Sequence, residues 1–314
     1  MGSDAQVLGI AAALDREITI VHAKVSGLRG LLAPLLPAAP ADVGPGGRLF
    51  SPPWPDLLIS VGRKATPFAV ATRRASGGRT FTMALQHPRT PIDWYDIIWA
   101  PTHDRLSGPN VVSTLTSPHR VTPKALAAGG ADLRQRLAAG GVRLTGPVVT
   151  VLVGGPNGVF PFTAEEAAAF VAKLDELSSS SAPATFLISF SRRTTPEIRA
   201  AVGAWAERQS AWVWDEQGAN PYLGLLALAD AVVVTSDSVN MAGEAASTGK
   251  PIYVFTLAGR GPKFAAFHAG LAQTGATRPL AGPFAVWSYP AIDPNAQILA
   301  RLQRAYGHWR QQWT

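Results

Sequence analysis

The run from Asp230 to Pro251 carries the chain's clearest chemistry. An apolar strand, Ala231–Thr235, passes directly into the turn Ser236-Asp237-Ser238 and then into a helix. The first amides of a helix have no intrahelical acceptor and attract phosphate. Ser236, Ser238, Val239 and Asn240 are therefore placed to hold a diphosphate, with serine hydroxyls as further donors. Glu244 falls about one turn into that helix. A carboxylate there repels phosphate but accepts hydrogen bonds from a ribose diol; the plainer alternative is a favourable partner for the helix dipole. Gly249-Lys250-Pro251 reads as a structural stop, with glycine in a left-handed position, proline beyond it and Lys250 stabilising near a helix C-terminus.

Three further strand-to-helix loops carry polar groups. Gly154-Gly155-Pro156-Asn157-Gly158 lets backbone approach a ligand closely, with Gly154, Gly155 and Asn157 as candidate contacts, or is simply a tight turn. It is neither a P-loop nor GxGxxG. Ser189 to Thr195 contains Arg192 and Arg193, whose guanidinium donors suit phosphate. The two point in different directions, so one of them is expected to reach the ligand. Trp214 to Tyr222 can border a base, although Asn220 is accounted for as a helix cap before Pro221.

Four loops in the first half are chemically equipped: Gly62-Arg63-Lys64, Gln86 to Arg89, Thr102-His103-Asp104 and Ser117 to Arg120. His87, His103, Asp104 and His119 on these loops are the candidate general bases. No HExxH-type spacing accompanies the six histidines, and no metal site is assigned.

Short apolar strands alternating with helices position these loops, which argues for parallel sheets in an α/β fold. In the first half, Asp4–Leu14 reads as a helix; Ile18–His22, Leu57–Ser60, Thr80–Leu85, Asp96–Ala100 and Asn110–Thr114 read as strands; and Pro123–Gly129 and Asp132–Ala139 read as two helices. An α/β domain ordinarily opens on a strand and a Gly-rich turn, of which only the end, Met1 to Gln6, is expected here: either the start of the gene is placed late or the first strand of this sheet is absent. In the second half, Val148–Val153 is a continuous β-branched strand, and Thr163 with Glu166 forms a capping box. The reading is two Rossmann-like domains facing a cleft. Residues 1–145 form the first domain and 146–290 the second, and the helix in 291–314 packs back on the first.

Composition bounds these readings. The chain has 314 residues, 47% hydrophobic and 16% charged, enough apolar surface for two folded domains. With no cysteine, disulfide scaffolds, thiolate nucleophiles and Cys-ligated metals are excluded. No apolar run has the roughly 18 residues of a membrane span, and Met1-Gly2-Ser3-Asp4 does not begin like a signal peptide, so a cytoplasmic location, peripheral to the inner face of a membrane, is expected. The whole net charge of +7 lies within the first 145 residues. Such a half suits an anionic acceptor or an acidic membrane surface; no nucleic-acid motif accompanies it.

The segments Gln6–Ala11, Ile59–Lys64, Leu152–Pro156, Ser189–Thr194 and Thr235–Pro251 resemble the bacterial members of the mitochondrial fission protein ELM1-like family over essentially the whole chain. Thr235–Pro251 also resembles the donor half of GT-B glycosyltransferases of the MurG-like group. That second resemblance implies a nucleotide-sugar in the C-terminal domain, with Glu244 on the ribose and Ser236–Asn240 on the diphosphate. The functional expectation is a metal-independent glycosyltransferase that needs no cofactor and uses a nucleotide-diphosphate sugar as donor substrate. A sugar-nucleotide epimerase on the same fold and a non-catalytic, membrane-associated scaffold are the alternatives.

Overall fold

A computed structural model describes residues 2–14, 17–22, 51–179 and 183–313. The chain divides into two compact units, Met1–Arg120 with Asp293–Thr314, and Val121–Ile292.

Unit 1 opens with α1 (Gly2–Ala11), followed by β1 (Leu57–Val61), α2 (Thr66–Ala75), β2 (Phe81–Leu85), β3 (Ile97–Pro101) and β4 (Val111–Thr114). The four strands form a parallel sheet in sequential order. Strands β2 and β3 are buried along their whole length, which is why they are apolar throughout rather than alternating. On one face Phe81, Met83, Ile97 and Trp99 pack with Ile10 of α1 and with Ile298 and Leu302 of α9 (Pro294–Arg310). On the other, Ala84 and Ile98 meet Ala69 and Val70 of α2. Asp96 locks β2 to β3 by accepting from the Thr82 amide at 2.7 Å, the Thr82 hydroxyl at 2.9 Å and Arg73 at 3.0 Å. The strand expected at Ile18–His22 does not form: residues 17–22 are irregular and exposed, with Ile20 59% accessible. A β-branched run permits a strand, but pairing and burial decide it, and this run pairs with no strand among the described residues.

Unit 2 contains α3 (Pro123–Ala139), β5 (Val148–Val153), α4 (Ala164–Ser178), β6 (Thr185–Phe190), α5 (Pro196–Arg208), β7 (Trp212–Val213), α6 (Tyr222–Leu228), β8 (Ala231–Thr235), α7 (Val239–Ala246), β9 (Ile252–Phe255), α8 (Pro262–Gln273) and β10 (Thr277–Pro279). Its all-parallel sheet has the order β10-β9-β8-β5-β6-β7. Counted from β5 as the first strand, this is the 3-2-1-4-5-6 order of Rossmann sheets, and the direction of travel reverses between β5 and β8. Ligands of open α/β sheets bind beyond the strand ends at that reversal. The capping box is present, with the Thr163 hydroxyl accepting from Glu166 N and the Glu166 carboxylate from Thr163 N. Strand β10 lies in a stretch with no sequence signal and is held by its register against β9.

Helix α3 is one continuous helix, although Gly129-Gly130 suggested a break. These glycines admit α6: a Cβ on Gly129 would lie 2.9 Å from Gly224 N, and one on Gly224 would lie 2.5 Å from Gly129 O. This close backbone approach makes α3 part of unit 2, ahead of the Gly140–Pro147 boundary read from the sequence.

Lys250 stabilises a helix other than the one it follows. Its Nζ donates to the carbonyls of Leu226 at 2.9 Å and Ala227 at 2.6 Å, in the last turn of α6. Burial lowers its pKa, opposed by the charge of Asp230. Lys250→Met keeps the apolar stem but strips both carbonyls of a charged donor, and should cost about 1–3 kcal/mol in urea unfolding. A loss under 0.5 kcal/mol would show that these contacts contribute nothing net.

Candidate functional site

In unit 2 the reversal brings together the loops after β5 and β8, with the loop after β6 alongside. Their centre is Asp237, whose side chain is fully buried. Its Oδ1 accepts from the Thr235 hydroxyl at 2.6 Å, and its Oδ2 from Gly155 N at 3.1 Å and Arg193 Nη2 at 2.7 Å. Thr235 Oγ1 in turn accepts from Gly154 N at 2.8 Å. Burial raises the Asp237 pKa, and the hydrogen bonds from Thr235 and Gly155 and the Arg193 charge oppose it.

The sequence-derived residues divide around this centre. Gly154 and Gly155 sit at the reversal, but their amides serve Thr235 and Asp237, so neither is left for a diphosphate. The reason they are glycines is space: a Cβ on Gly154 would lie 2.0 Å from Asp237 Oδ1, and one on Gly155 2.2 Å from Arg193 O. Asn157 spans two loops, donating to the Asp237 carbonyl at 3.2 Å and accepting from Val159 N and Phe160 N at 2.8 and 3.0 Å. Arg192 is exposed, whereas Arg193 is paired with Asp237. Ser236 is buried; its hydroxyl accepts from Leu257 N at 3.0 Å, joining the β8 and β9 ends.

Ser238 caps α7, its hydroxyl accepting from Met241 N at 3.3 Å. The amides of Ser238, Val239 and Asn240 take no acceptor among the described residues, and all three residues are partly exposed. They form a run of consecutive free donors at the positive end of a helix. Glu244, four residues after Asn240, lies on the same face one turn on. Its Oε2 accepts from the Tyr222 hydroxyl at 2.6 Å, while Oε1 accepts nothing among the described residues. Burial pushes the Glu244 carboxyl up, with Tyr222 opposing; burial and the Glu244 charge push the Tyr222 phenol well up. The arrangement offers donors for an anion and, one turn away, an oriented acceptor for a hydroxyl.

Several members of the site gave no signal in the sequence. Arg199 fixes the β6 turn by donating to Thr194 O at 3.2 Å, Ser191 O at 3.1 Å and Glu216 at 2.6 Å, with its guanidinium over the Phe190 ring. Thr194 ties this turn to the end of β5, its hydroxyl donating to Val153 O and Gly154 O. The His268 ring meets the Ser236 carbonyl at 2.9 Å through Nε2; a carbonyl only accepts, so Nε2 carries the proton. Burial lowers the His268 pKa, the Ser236 contact and Asp237 opposing. Asp237 stood in the quoted Ser-Asp-Ser turn, and a carboxylate beside an anion site was the available clue.

In unit 1, His87 and the short turn Thr102–Asp104 follow β2 and β3 at their carboxyl ends, and His87, His103 and Asp104 are partly exposed. His87 Nδ1 accepts from Arg89 N at 3.1 Å, which leaves the proton on Nε2. Gln86, next to it, holds φ at +75°, an uncommon value for a side-chain-bearing residue. His119, expected on an open loop, is 2% exposed, and its backbone N–H and C=O are both bonded by the Asn295 amide group. Among the described residues no group of three or more His, Asp or Glu side chains is arranged to hold a metal ion, and no helix is long and apolar enough to cross a membrane.

The family described as Mitochondrial fission ELM1 matches residues 1–306. The chain is 26% identical to the mitochondrial fission protein ELM1 of Arabidopsis thaliana, over 92% of this chain and 73% of that one. It is 28% identical to an uncharacterized protein of Rickettsia prowazekii (strain Madrid E), over 64% of each. Among solved structures, UDP-GlcNAc 2-epimerase from Neisseria meningitidis bound to UDP-GlcNAc is similar at a TM-score of 0.46 and 13% identity, over 81% of this chain and 70% of that one.

Proposed function

Because the chain belongs to the Mitochondrial fission ELM1 family, whose name describes a process rather than a reaction, its chemistry has to be read from its site, and we propose that it is a glycosyltransferase whose second unit binds a nucleotide-diphosphate sugar. The observation that carries this reading is the run of free amides at Ser238, Val239 and Asn240, at the reversal of a Rossmann-ordered sheet, with Glu244 one turn beyond. The amides and the α7 dipole bind the diphosphate, and Glu244 Oε1 accepts from the ribose. In the reaction, an acceptor oxygen bonds to the anomeric carbon as its bond to the β-phosphate oxygen breaks. The electron pair leaves with the nucleoside diphosphate, whose growing charge the same amides stabilise. The acceptor's proton passes to a general base, for which His87, His103 and Asp104 are the candidates; His119 is too buried for the task. The cationic excess of the first half fits an anionic acceptor.

A thermal-shift screen of UDP-, GDP-, ADP-, CMP- and dTDP-sugars tests the reading. One of them should give a saturable rise, about 2.7 kcal/mol of added stability at a hundredfold excess over Kd. No shift with any member at millimolar concentration ends the proposal. Release of an isomerised sugar-nucleotide without an acceptor would replace transfer by epimerisation.

A further inference from the structure

We propose that Asp237 is a positioning residue that aims Arg193 at the diphosphate, so that removing this negative charge weakens anion binding. The inference rests on the diphosphate reading of the same site.

A fully buried carboxylate immediately before the cap of α7 stands where an anion-binding helix least tolerates one. Taken alone, Asp237 cancels part of the field that the free amides present. Its hydrogen bonds account for it differently. Thr235 and Gly155 hold the carboxylate, and Arg193 Nη2 meets Oδ2 at 2.7 Å. The Arg193 side chain is 45% exposed, against 0% for Asp237. The pair thus has a buried end that is anchored and an outer end that is cationic. The guanidinium gives Asp237 one N–H of its five, and its remaining donors take no partner among the described residues. Those donors lie beside the residue that precedes the α7 cap. An arginine fixed in this way loses less side-chain entropy on meeting phosphate than a solvated one. Arg192 is exposed and has no such anchor, so the geometry chooses between the two arginines. The backbone contributes as well: the Arg193 carbonyl closes over Gly155, which fixes where the side chain starts.

Two simpler roles predict other results. If Asp237 acts on the ligand only through its charge, Asp237→Asn tightens anion binding. If it is merely structural, Asp237→Asn changes binding equally whether or not Arg193 is present. The test is calorimetric titration of the full chain with inorganic pyrophosphate, with melting temperatures recorded in parallel. Asp237→Asn should weaken binding about tenfold, the order expected on losing one well-placed charged contact. Arg193→Gln should weaken it at least as much, and Arg192→Gln less than about twofold. In the Arg193→Gln background, Asp237→Asn should add less than about twofold, because its partner is already gone. Tighter or unchanged binding by Asp237→Asn, or an equal loss in both backgrounds, overturns the positioning role. If Asp237→Asn does not fold, the arginine variants carry the test, each read against its own melting temperature because Arg193→Gln leaves the buried carboxylate without its cation; loss at Arg192 rather than Arg193 overturns the assignment while leaving the site. Wild-type protein that ignores pyrophosphate and every nucleoside diphosphate overturns both readings together.

Discussion

Gly154→Ala should lower the melting temperature of unit 2 by roughly 6–12 °C, the shift that about 3 kcal/mol produces in a domain of this size. The new methyl would sit 2.0 Å from Asp237 Oδ1, far inside van der Waals contact. Relief requires either Asp237 or the β5 end to move. Asp237 cannot move cheaply, because its carboxylate is buried and its four-way anchorage to Thr235, Gly155, Arg193 and the Asn157–carbonyl contact would break. Leaving a buried charge without its partners costs about 3–5 kcal/mol. Gly158, four residues on in the same loop, is the internal control: a Cβ there meets nothing within 4 Å, and Gly158→Ala should melt with the wild type. Circular dichroism of the two variants decides it; equal melting would mean that the loop after β5 is looser than its contacts indicate.

Glu244→Gln should produce opposite effects on stability and binding. The folded state raises the Glu244 pKa through burial, so it holds the proton more tightly than the unfolded chain does. Ionisation therefore opposes folding. Stability from this group is greatest below the ordinary glutamate range and falls as pH rises from that range to the raised folded value. Glutamine removes the ionisable group, and its amide oxygen can still accept from the Tyr222 hydroxyl. At pH 7 the variant should melt about 2–4 °C higher, as for roughly 1 kcal/mol, and the gain should vanish as pH drops below about 4. Affinity for the nucleoside diphosphate that stabilises the wild type should fall on the order of tenfold to a hundredfold, the loss expected when a charged acceptor becomes neutral. A stability gain without loss of affinity would make Glu244 a bystander to the ribose.

What the sequence disclosed was mostly local. The Thr163–Glu166 capping box spans three residues, and the Val148–Val153 and Ala231–Thr235 strands declare themselves by apolar β-branched runs. The Ser238 cap and Glu244 share one helix, so their spacing could be read directly. The rest depends on partners far apart in the chain. Asp237 meets Gly155 across 82 residues, and Lys250 finds the Leu226 carbonyl 24 residues back. Gly129-Gly130 looked like a helix break because glycine is unfavourable inside helices; only the approach of Gly224 explains the choice. Gly154 and Gly155 were read as room for a ligand, whereas the space beside them is filled by Asp237 and by the Arg193 carbonyl, which a chain neighbourhood of five residues does not reveal. Ile18–His22 failed for the converse reason: its pattern was correct for a strand, and no strand among the described residues pairs with it.

The division of the chain into Met1–Arg120 with Asp293–Thr314 on one side and Val121–Ile292 on the other sets an order of assembly during synthesis. Unit 2 is one uninterrupted stretch, all of it preceding α9 in the order of synthesis. The sheet of unit 1 is made first, yet its face at Phe81, Met83 and Trp99, met by Ile10 of α1, lacks the cover of Ile298 and Leu302 until these emerge. The earliest-made sheet of the protein therefore waits for the last-made helix, and a chain ending before residue 294 would display part of that apolar face to chaperones.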